Sequence, residues 1–108
     1  MKKVLTAVAV VAMLCLAASV SRAQDVANGE KVYKAKCMAC HGPDGKGDTA
    51  AGKATKSRDF GSDEVKKESD ATWTDIIVKG KNKMPSYDKK ITEAEVKDVV
   101  AYIRTLAK

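Results

Sequence analysis

The sequence predicts a small all-α domain, and three observations support this. No segment after residue 23 shows the sustained alternation of apolar and polar residues that is typical of a strand. Three segments instead carry apolar residues at helical spacing, with helix caps at two of them. The aromatic content is low, with three tyrosines, one tryptophan and one phenylalanine. So small and aromatic-poor a domain needs something besides side chains to fill its interior.

The first helix is predicted over about residues 25–39, where four apolar side chains share one face: Val26, Val32, Tyr33 and Cys37. A glycine-rich segment at residues 42–47 excludes a persistent helix or strand there, and the loop region is predicted to continue to about Gly61. Ser62 then caps one short, charged turn that extends through Lys67.

A second clear helix is predicted to begin at Thr72, because Thr72 and Asp75 resemble a capping arrangement, and to end at Gly80. The irregular stretch 81–87 follows. The last helix has the strongest pattern. It opens with a Thr92–Glu95 capping box and continues with apolar residues at helical spacing: Val96, Val99, Val100, Ile103, Leu106 and Ala107.

Residues 1–23 are predicted to be a secretory signal peptide. A positive start and an apolar run over residues 4–18 precede small residues at the cleavage positions, Ser21 and Ala23. An uncleaved anchor is the alternative, but the run is shorter than the ~20 residues that a spanning helix needs. We therefore expect one periplasmic domain, residues 24–108, with no stable membrane insertion after cleavage.

The charge balance argues against nucleic acid as a partner. The whole chain has 20 basic and 14 acidic residues and a formal net charge of +6. Three of the basic residues, Lys2, Lys3 and Arg22, leave with the signal peptide. The remaining chain is too balanced for a nucleic-acid-binding surface, which is basic and clustered.

The sequence "CMACH" at residues 37–41 admits three kinds of site. A zinc site needs three or four protein ligands, and the mature chain offers only Cys37, Cys40 and His41 within this one stretch. A thioredoxin-like pair belongs in a βαβ unit, whereas this pair lies near the end of a helix. Covalent haem attachment requires two cysteines for thioether bonds and a histidine directly after them for the iron, and the stretch has all three. One haem c attached through Cys37 and Cys40 is therefore predicted.

The mature chain resembles the class I (monohaem) cytochromes c of the short bacterial type, similar to the c6, c-551 and c-555 groups. Gly29, Tyr33 and Cys37 are spaced four apart, as are the glycine, the aromatic residue and the first haem cysteine of that family. The resemblance implies three to four helices wrapped around one covalently bound haem. It also implies that the N- and C-terminal helices cross at Gly29, with Tyr33 packed on Tyr102 and Val99.

Met84 is predicted to be the second axial ligand of the iron. The mature chain has only two methionines, and Met38 lies between the two thioether cysteines. Met84 lies in an irregular loop before Pro85, and the family has a Met-Pro pair there, often followed two residues later by an aromatic, here Tyr87. A methionine that only fills the core is the alternative. Ligation by His41 and Met84 implies a one-electron carrier, not an enzyme, with no catalytic residues.

Three residues are weaker candidates for contacts with the haem. Trp73 either donates its indole N–H to a haem propionate or packs in the core, and Arg58 either neutralises a propionate or remains solvated. Tyr87 follows the Met-Pro pair. The acceptor for the second ring nitrogen of His41 is not predicted, because the downstream proline that the family uses there is absent and Pro43 comes too early.

The predicted function is a soluble, monomeric carrier of single electrons between redox proteins that dock transiently. Several lysines surround the Met84 loop, and they either steer acidic partners or form a solvated rim: Lys79, Lys81, Lys83, Lys89 and Lys90. Two alternatives remain open. One is a haem sensor or peroxidase-like protein with a labile sixth ligand, and the other is an electron-entry subunit bound to a larger oxidoreductase.

Overall fold

A computed structural model describes residues 24–107, which form six helices and no strand. They are α1 Val26–Lys36, α2 Met38–His41, α3 Ala50–Thr55, α4 Asp63–Lys66, α5 Asp70–Lys79 and α6 Glu93–Leu106. The all-α prediction is confirmed. The predicted signal peptide lies outside the described residues.

The first and last helices cross at a glycine, as expected. α1 begins where the Asp25 side chain accepts a hydrogen bond from the backbone N–H of Asn28 (3.1 Å), and α6 begins with the predicted Thr92–Glu95 capping box. A Cβ atom added at Gly29 would lie only 2.0 Å from the backbone oxygen of Asp98 on α6. The two backbones can therefore approach this closely only because residue 29 has no side chain.

The apolar core lies around this crossing and extends to the inner faces of α4 and α5. Tyr33 is buried, and its ring centroid lies 5.3 Å from that of Tyr102. The Tyr33 hydroxyl donates to the carbonyl of Gly42, and burial raises the pKa of this phenol. The other buried apolar residues are Val32, Val65, Trp73, Ile77, Ile91, Val96, Val99, Val100, Ile103 and Ala107.

A buried carboxylate closes one end of the crossing. Asp98 is fully buried, and its two side-chain oxygens accept hydrogen bonds from the backbone N–H of Asp25 (2.8 Å) and from the side-chain amide of Asn28 (2.9 Å). These donors belong to the first turn of α1 and its cap, where backbone N–H groups lack helical partners. Asp98 therefore ties the start of α1 to the middle of α6, and its side chain lies at the positive end of the α1 dipole.

The predictions for the first helix and for the loop that follows the motif were wrong. The helix predicted over residues 25–39 is interrupted at Cys37, whose φ of −117° departs from helical geometry, so that α2 carries the remainder. The loop predicted to run from Gly42 to Gly61 contains the helix α3. Its signal is a single cap, because the Thr49 side chain accepts from the backbone N–H of Gly52 (2.8 Å).

The start of α5 also differs from the prediction, whereas the start of α4 agrees with it. Ser69, not Thr72, caps α5, because the Ser69 hydroxyl accepts from the backbone N–H of Thr72 (3.1 Å) and Thr72 lies within the first turn. Ser62 caps α4 as predicted. Between residues 24 and 107, no helix is both long enough and apolar enough to cross a membrane.

Candidate functional site

One cavity brings together all seven residues that the sequence singled out as site candidates. Its volume is about 550 Å³, within the range of about 300–1,000 Å³ typical of ligand sites. Five of these residues come from the α1–α2 region and from the loop before α6, and the other two, Arg58 and Trp73, come from the chain between α3 and α6. The seven are Cys37, Cys40, His41, Arg58, Trp73, Met84 and Tyr87.

The two cysteines are placed by the break between α1 and α2. Cys37 is the residue at the break, and Cys40 follows within the single turn of α2. Both are free thiols and half-buried. Burial, with a smaller contribution from the neighbouring Cys40, raises the pKa of the Cys37 thiol to about 11. The Cys37 thiol is therefore protonated and unpaired near neutral pH, facing a shared cavity.

The backbone of the motif is held by the loop that follows it. The Thr49 hydroxyl donates to the carbonyls of Ala39 (2.8 Å) and Cys40 (3.1 Å), and the N–H of Gly47 donates to the carbonyl of His41 (2.8 Å). Gly52 packs so closely that an added Cβ would lie 2.3 Å from the Cys40 carbonyl oxygen. These contacts fix the short helix α2, which is too short to be stable alone.

The His41 ring is held by stacking. Its centroid lies 4.6 Å from that of Phe60, with an angle of 22° between the rings. Its Nδ1 atom is buried and has no hydrogen-bond partner among residues 24–107, so the described chain supplies no acceptor for this nitrogen. Burial lowers the pKa of His41, and the positive charge of Arg58 lowers it further. The imidazole is therefore neutral near pH 7, the form that binds metals.

Phe60 is a site residue that the sequence reasoning missed. It lines the cavity, and its ring contacts those of His41, Trp73 (5.9 Å between centroids) and Tyr33 (6.5 Å). Its backbone N–H donates to the carbonyl of Gly45 (2.9 Å), which brings the loop ends together. The available signal was that this is the chain's only phenylalanine, in an otherwise polar stretch.

Met84 lies in a loop that is fixed at both ends. Lys81 and Met84 exchange two backbone hydrogen bonds (2.9 and 3.1 Å), forming a tight turn with Asn82 at a positive φ of 54°. Tyr87 donates its N–H to the carbonyl of Ile77 and its hydroxyl to that of Lys36, each at 3.0 Å. Met84 is therefore held at the cavity wall.

The other methionine of the described chain is differently placed. Met38 is partly buried and packs against the core cluster, and it is not among the residues that line the cavity. Of the two methionines, Met84 is the one that faces the cysteines and His41 across a shared space.

Arg58 and Trp73 share a partner that sequence reasoning did not find. Both nitrogens at the end of the Arg58 side chain donate to the Glu68 carboxylate (3.0 and 2.9 Å), and the Trp73 indole N–H donates to the same carboxylate (3.2 Å). These hydrogen bonds lower the pKa of Glu68, with that from Arg58 having the largest effect. Glu68 is therefore ionised near neutral pH.

Lysines surround the mouth of the cavity. Two that the sequence singled out, Lys81 and Lys83, line it, and Lys36 and Lys56 join them from α1 and the end of α3. All four are exposed. Lys79, also singled out, is paired with Asp75 one turn earlier in α5 (3.4 Å).

Comparisons with known proteins agree on one family. The family described as "Cytochrome C oxidase, cbb3-type, subunit III" matches residues 24–103. Cytochrome c6 of Synechococcus sp. is 32% identical over 81 residues, which cover 75% of this chain and 70% of that protein. Cytochrome c6 of Thermosynechococcus vestitus is 30% identical over 93 residues, covering 86% of this chain and 80% of that protein.

Two further similarities bear on the size of the domain. The cbb3-type cytochrome c oxidase subunit FixP of Bradyrhizobium diazoefficiens is 30% identical over 86 residues, and the match covers 76% of this chain but only 28% of FixP. The solved structure of a c-type cytochrome, KustC0563, superposes with a TM-score of 0.68 at 34% identity. That match covers 74% of this chain and 98% of the other.

Proposed function

The chain belongs to the monohaem class I cytochromes c, and we propose on that premise that it is a soluble periplasmic carrier of single electrons with His41 and Met84 as iron ligands. As a member of this family it binds haem c covalently and carries electrons. The observation that supports the assignment of the two iron ligands is the shared cavity, whose wall includes Cys37, Cys40, His41 and Met84.

The residues of the cavity fit the cofactor. Two half-buried free thiols would form the thioether bonds, and a neutral imidazole and a thioether sulfur would bind the iron. The lining also supplies apolar surface for a flat, largely apolar ring, from Phe60, Trp73, Ile77 and Ile103. The volume of about 550 Å³ suits a group of this kind.

When bound, the haem supplies a one-electron iron couple, and a neutral thioether ligand favours the ferrous state and raises the reduction potential. Contacts within the chain hold both proposed ligands in position. The Lys81–Met84 turn and the two hydrogen bonds of Tyr87 hold Met84 in place, and stacking on Phe60 holds the His41 ring. A rigid pair of protein ligands leaves little to reorganise on electron transfer and no open position for a substrate.

The proposed location follows from the sequence and the chemistry of attachment. Residues 1–23 have the pattern of a cleaved secretory signal, and haem is attached to this motif outside the cytoplasm. We therefore expect the domain of residues 24–108 in the periplasm. N-terminal sequencing or intact mass of the purified holoprotein would test cleavage after Ala23.

The exposed lysines at the cavity mouth favour transient partners with acidic surfaces. Lys36, Lys56, Lys81 and Lys83 place positive charge around the edge through which electrons would pass. Complementary charge speeds encounter more than it raises affinity, and electron-transfer interfaces are small. We expect a monomer whose electron-transfer rate with an acidic partner falls steeply as salt is added.

A second candidate is an electron-entry domain bound to a larger oxidoreductase. The family description and the match to FixP favour it, although the chain spans only 28% of FixP. Size-exclusion chromatography of the protein from its native membrane and soluble fractions separates the two. A monomeric soluble fraction supports the carrier, and stable copurification with an oxidoreductase supports the bound subunit.

Visible spectroscopy of the holoprotein tests the ligand assignment. We expect ferric protein with the weak sulfur-to-iron band at the red end of the spectrum, and ferrous protein that resists carbon monoxide. Met84→Ala should lose the band and bind carbon monoxide, because it removes the proposed sulfur ligand. Met38→Ala, the matched control, should retain the band, since Met38 does not line the cavity.

The opposite result would favour a sensor or peroxidase-like protein. Rapid binding of carbon monoxide by the wild type, or high-spin ferric iron at neutral pH, would indicate a labile or absent sixth ligand. An unchanged band in Met84→Ala would exclude Met84 as the sulfur donor.

A further inference from the structure

Glu68 lies beside the cavity, in contact with two of the residues that line it. Its carboxylate accepts three hydrogen bonds from two side chains that face the cavity, two from Arg58 and one from the Trp73 indole. The Glu68 side chain is 20% exposed and that of Arg58 39% exposed, so the pair is only partly screened by water. One protein carboxylate thus binds both side chains that the sequence analysis weighed as contacts of a haem propionate.

A second arginine fixes the backbone on which Glu68 sits. Arg104 donates to the carbonyls of Lys66 (3.1 Å) and Glu68, and to the carboxylate of Asp70 (2.8 Å). Its guanidinium lies 3.5 Å from the centroid of the Trp73 ring, a cation–π contact on the ring whose N–H binds Glu68. The segment that links α4 to α5 is therefore clamped from α6, and Glu68 is placed by that clamp.

The same rings lead from Glu68 to the proposed iron ligand. Trp73 contacts Phe60, with 5.9 Å between centroids, and Phe60 stacks on His41 at 4.6 Å. Arg58 lines the cavity together with His41. A change in the charge or position of this cluster therefore acts on the surroundings of the iron through a partly buried, low-dielectric region.

We propose that Glu68 is a positioning residue that sets the electrostatics of the haem crevice. Its carboxylate holds the Arg58 guanidinium and the Trp73 indole, and it neutralises the positive charge of Arg58 within the protein. Since a negative charge near the iron stabilises the ferric state, Glu68 lowers the reduction potential. This inference rests on the proposed haem-binding function, and it assigns to Glu68 the role that a propionate would otherwise have toward Arg58 and Trp73.

Redox titration of the holoprotein tests the charge effect. Glu68→Gln keeps the shape of the side chain but removes its charge, so we expect an upward shift of the midpoint potential. Glu64→Gln is the control for charge alone, because Glu64 is an exposed carboxylate that lines the cavity but makes no hydrogen bond to Arg58 in the described chain. The proposal requires a larger shift in Glu68→Gln than in Glu64→Gln, and equal shifts would overturn it.

A nuclear magnetic resonance measurement tests the positioning effect independently. The chain has one tryptophan, so the ferrous, diamagnetic protein should give one indole N–H resonance, and that resonance reports the bond to Glu68. We expect it to shift in Glu68→Gln and to stay in Glu64→Gln. A shifted potential with an unmoved indole resonance would overturn the positioning role, since a bare charge effect would then suffice.

Arg58→Gln provides a second variant that does not depend on the folding of Glu68→Gln. Removing the guanidinium frees Glu68, so the indole resonance should shift and the midpoint potential should fall. If Arg58 instead paired with a propionate, the indole resonance would not move, and the proposal would be overturned. The two proposals can fail separately. Absence of the sulfur-to-iron band in the wild type would count against ligation by Met84, whereas the indole resonance reports on Glu68 independently of that ligand.

Discussion

The crossing of α1 and α6 and the wall of the cavity are held together by different forces. At the crossing, two backbones meet at Gly29 and apolar side chains such as Val99 and Val100 are almost fully buried. At the cavity wall, side-chain hydrogen bonds and ion pairs join segments far apart in sequence. The crossing is a packed core that tolerates little change in volume, whereas the wall is a polar assembly organised around a place for a cofactor.

This difference has a functional meaning. The crossing at Gly29 carries none of the proposed iron ligands and neither of the two haem cysteines, so its role is to bring the first and the last helix of the described chain together. The wall carries every proposed ligand, and its half-buried residues His41, Arg58 and Met84 are held by contacts that could be altered one at a time. A substitution in one region should therefore leave the other largely unchanged.

The largest effect is expected at the crossing. Gly29→Ala places a Cβ atom 2.0 Å from the Asp98 backbone oxygen and 2.6 Å from its carbon, so the helices must separate. Overpacking of this kind costs about 1–3 kcal/mol, which outweighs the gain of about 1 kcal/mol from better helix propensity. Chemical denaturation of the holoprotein should show a lower midpoint, with the sulfur-to-iron band intact before unfolding.

Gly61→Ala is the matched control for that substitution. The nearest atom to a Cβ at residue 61 is a flexible carboxylate oxygen of Asp59 at 3.2 Å, and the backbone there does not have a positive φ. We expect a change in unfolding free energy below about 1 kcal/mol. Equal losses at Gly29 and Gly61 would contradict the view that the crossing depends on backbone contact.

An intermediate effect is expected from a cap at the cavity wall. Thr49→Ala removes the N-cap of α3 and the hydroxyl bonds to Ala39 and Cys40, for a combined cost of about 1–2 kcal/mol. Thr92→Ala removes the cap of α6 alone and should cost about 1 kcal/mol. Thermal unfolding of the two holoproteins compares them.

Thr49→Ser controls for the hydroxyl at that cap. It retains the oxygen that accepts from Gly52 and donates to the motif, so the melting temperature should stay close to that of the wild type. A Thr49→Ala protein as stable as Thr92→Ala would mean that the bonds to the "CMACH" backbone add nothing beyond an ordinary cap.

The smallest effect is expected from pH and concerns Glu68. Hydrogen bonds from Arg58, with smaller contributions from Trp73 and the charge of Lys81, lower the pKa of Glu68 in the folded protein. A carboxyl whose pKa is lowered by folding stabilises the protein above its unfolded pKa, about 4.3 for glutamate, and loses that contribution as the pH falls below it. The loss should be at most about 1 kcal/mol, since the pair is partly exposed.

The measurement compares the unfolding free energy of wild type and Glu68→Gln from pH 6 down to pH 3. The difference between the two proteins should be constant at the upper end and shrink toward the acid end. A difference independent of pH would show that the Glu68 charge contributes nothing to folding.

Much of the crossing could be predicted from the sequence. The four-residue spacing from Gly29 through Tyr33 to Cys37 and the capping box at Thr92 are local patterns, and each predicts its own element. The close approach at Gly29 and the contact of Tyr33 with Tyr102 then follow from the family resemblance, and the structure has both.

Less of the cavity wall could be predicted. The helix α3 was missed because its signal is one cap in a glycine-rich stretch, and the start of α5 was misplaced because Ser69 and Thr72 are both competent caps. Glu68 looks like any other residue in a charged stretch, and only its contacts set it apart.

The sequence by itself determined the family, the all-α fold and the candidate cofactor residues, because these rest on residue types at fixed local spacing. Tertiary structure alone decided which side chains face Arg58, Trp73 and His41, because hydrogen bonds between distant segments depend on where the chain returns. Phe60 and Glu68 are the two residues near the site whose contacts only the tertiary structure revealed. Phe60 holds the ring of a proposed iron ligand, and Glu68 binds the two side chains that the sequence analysis weighed as weaker candidates for haem contacts.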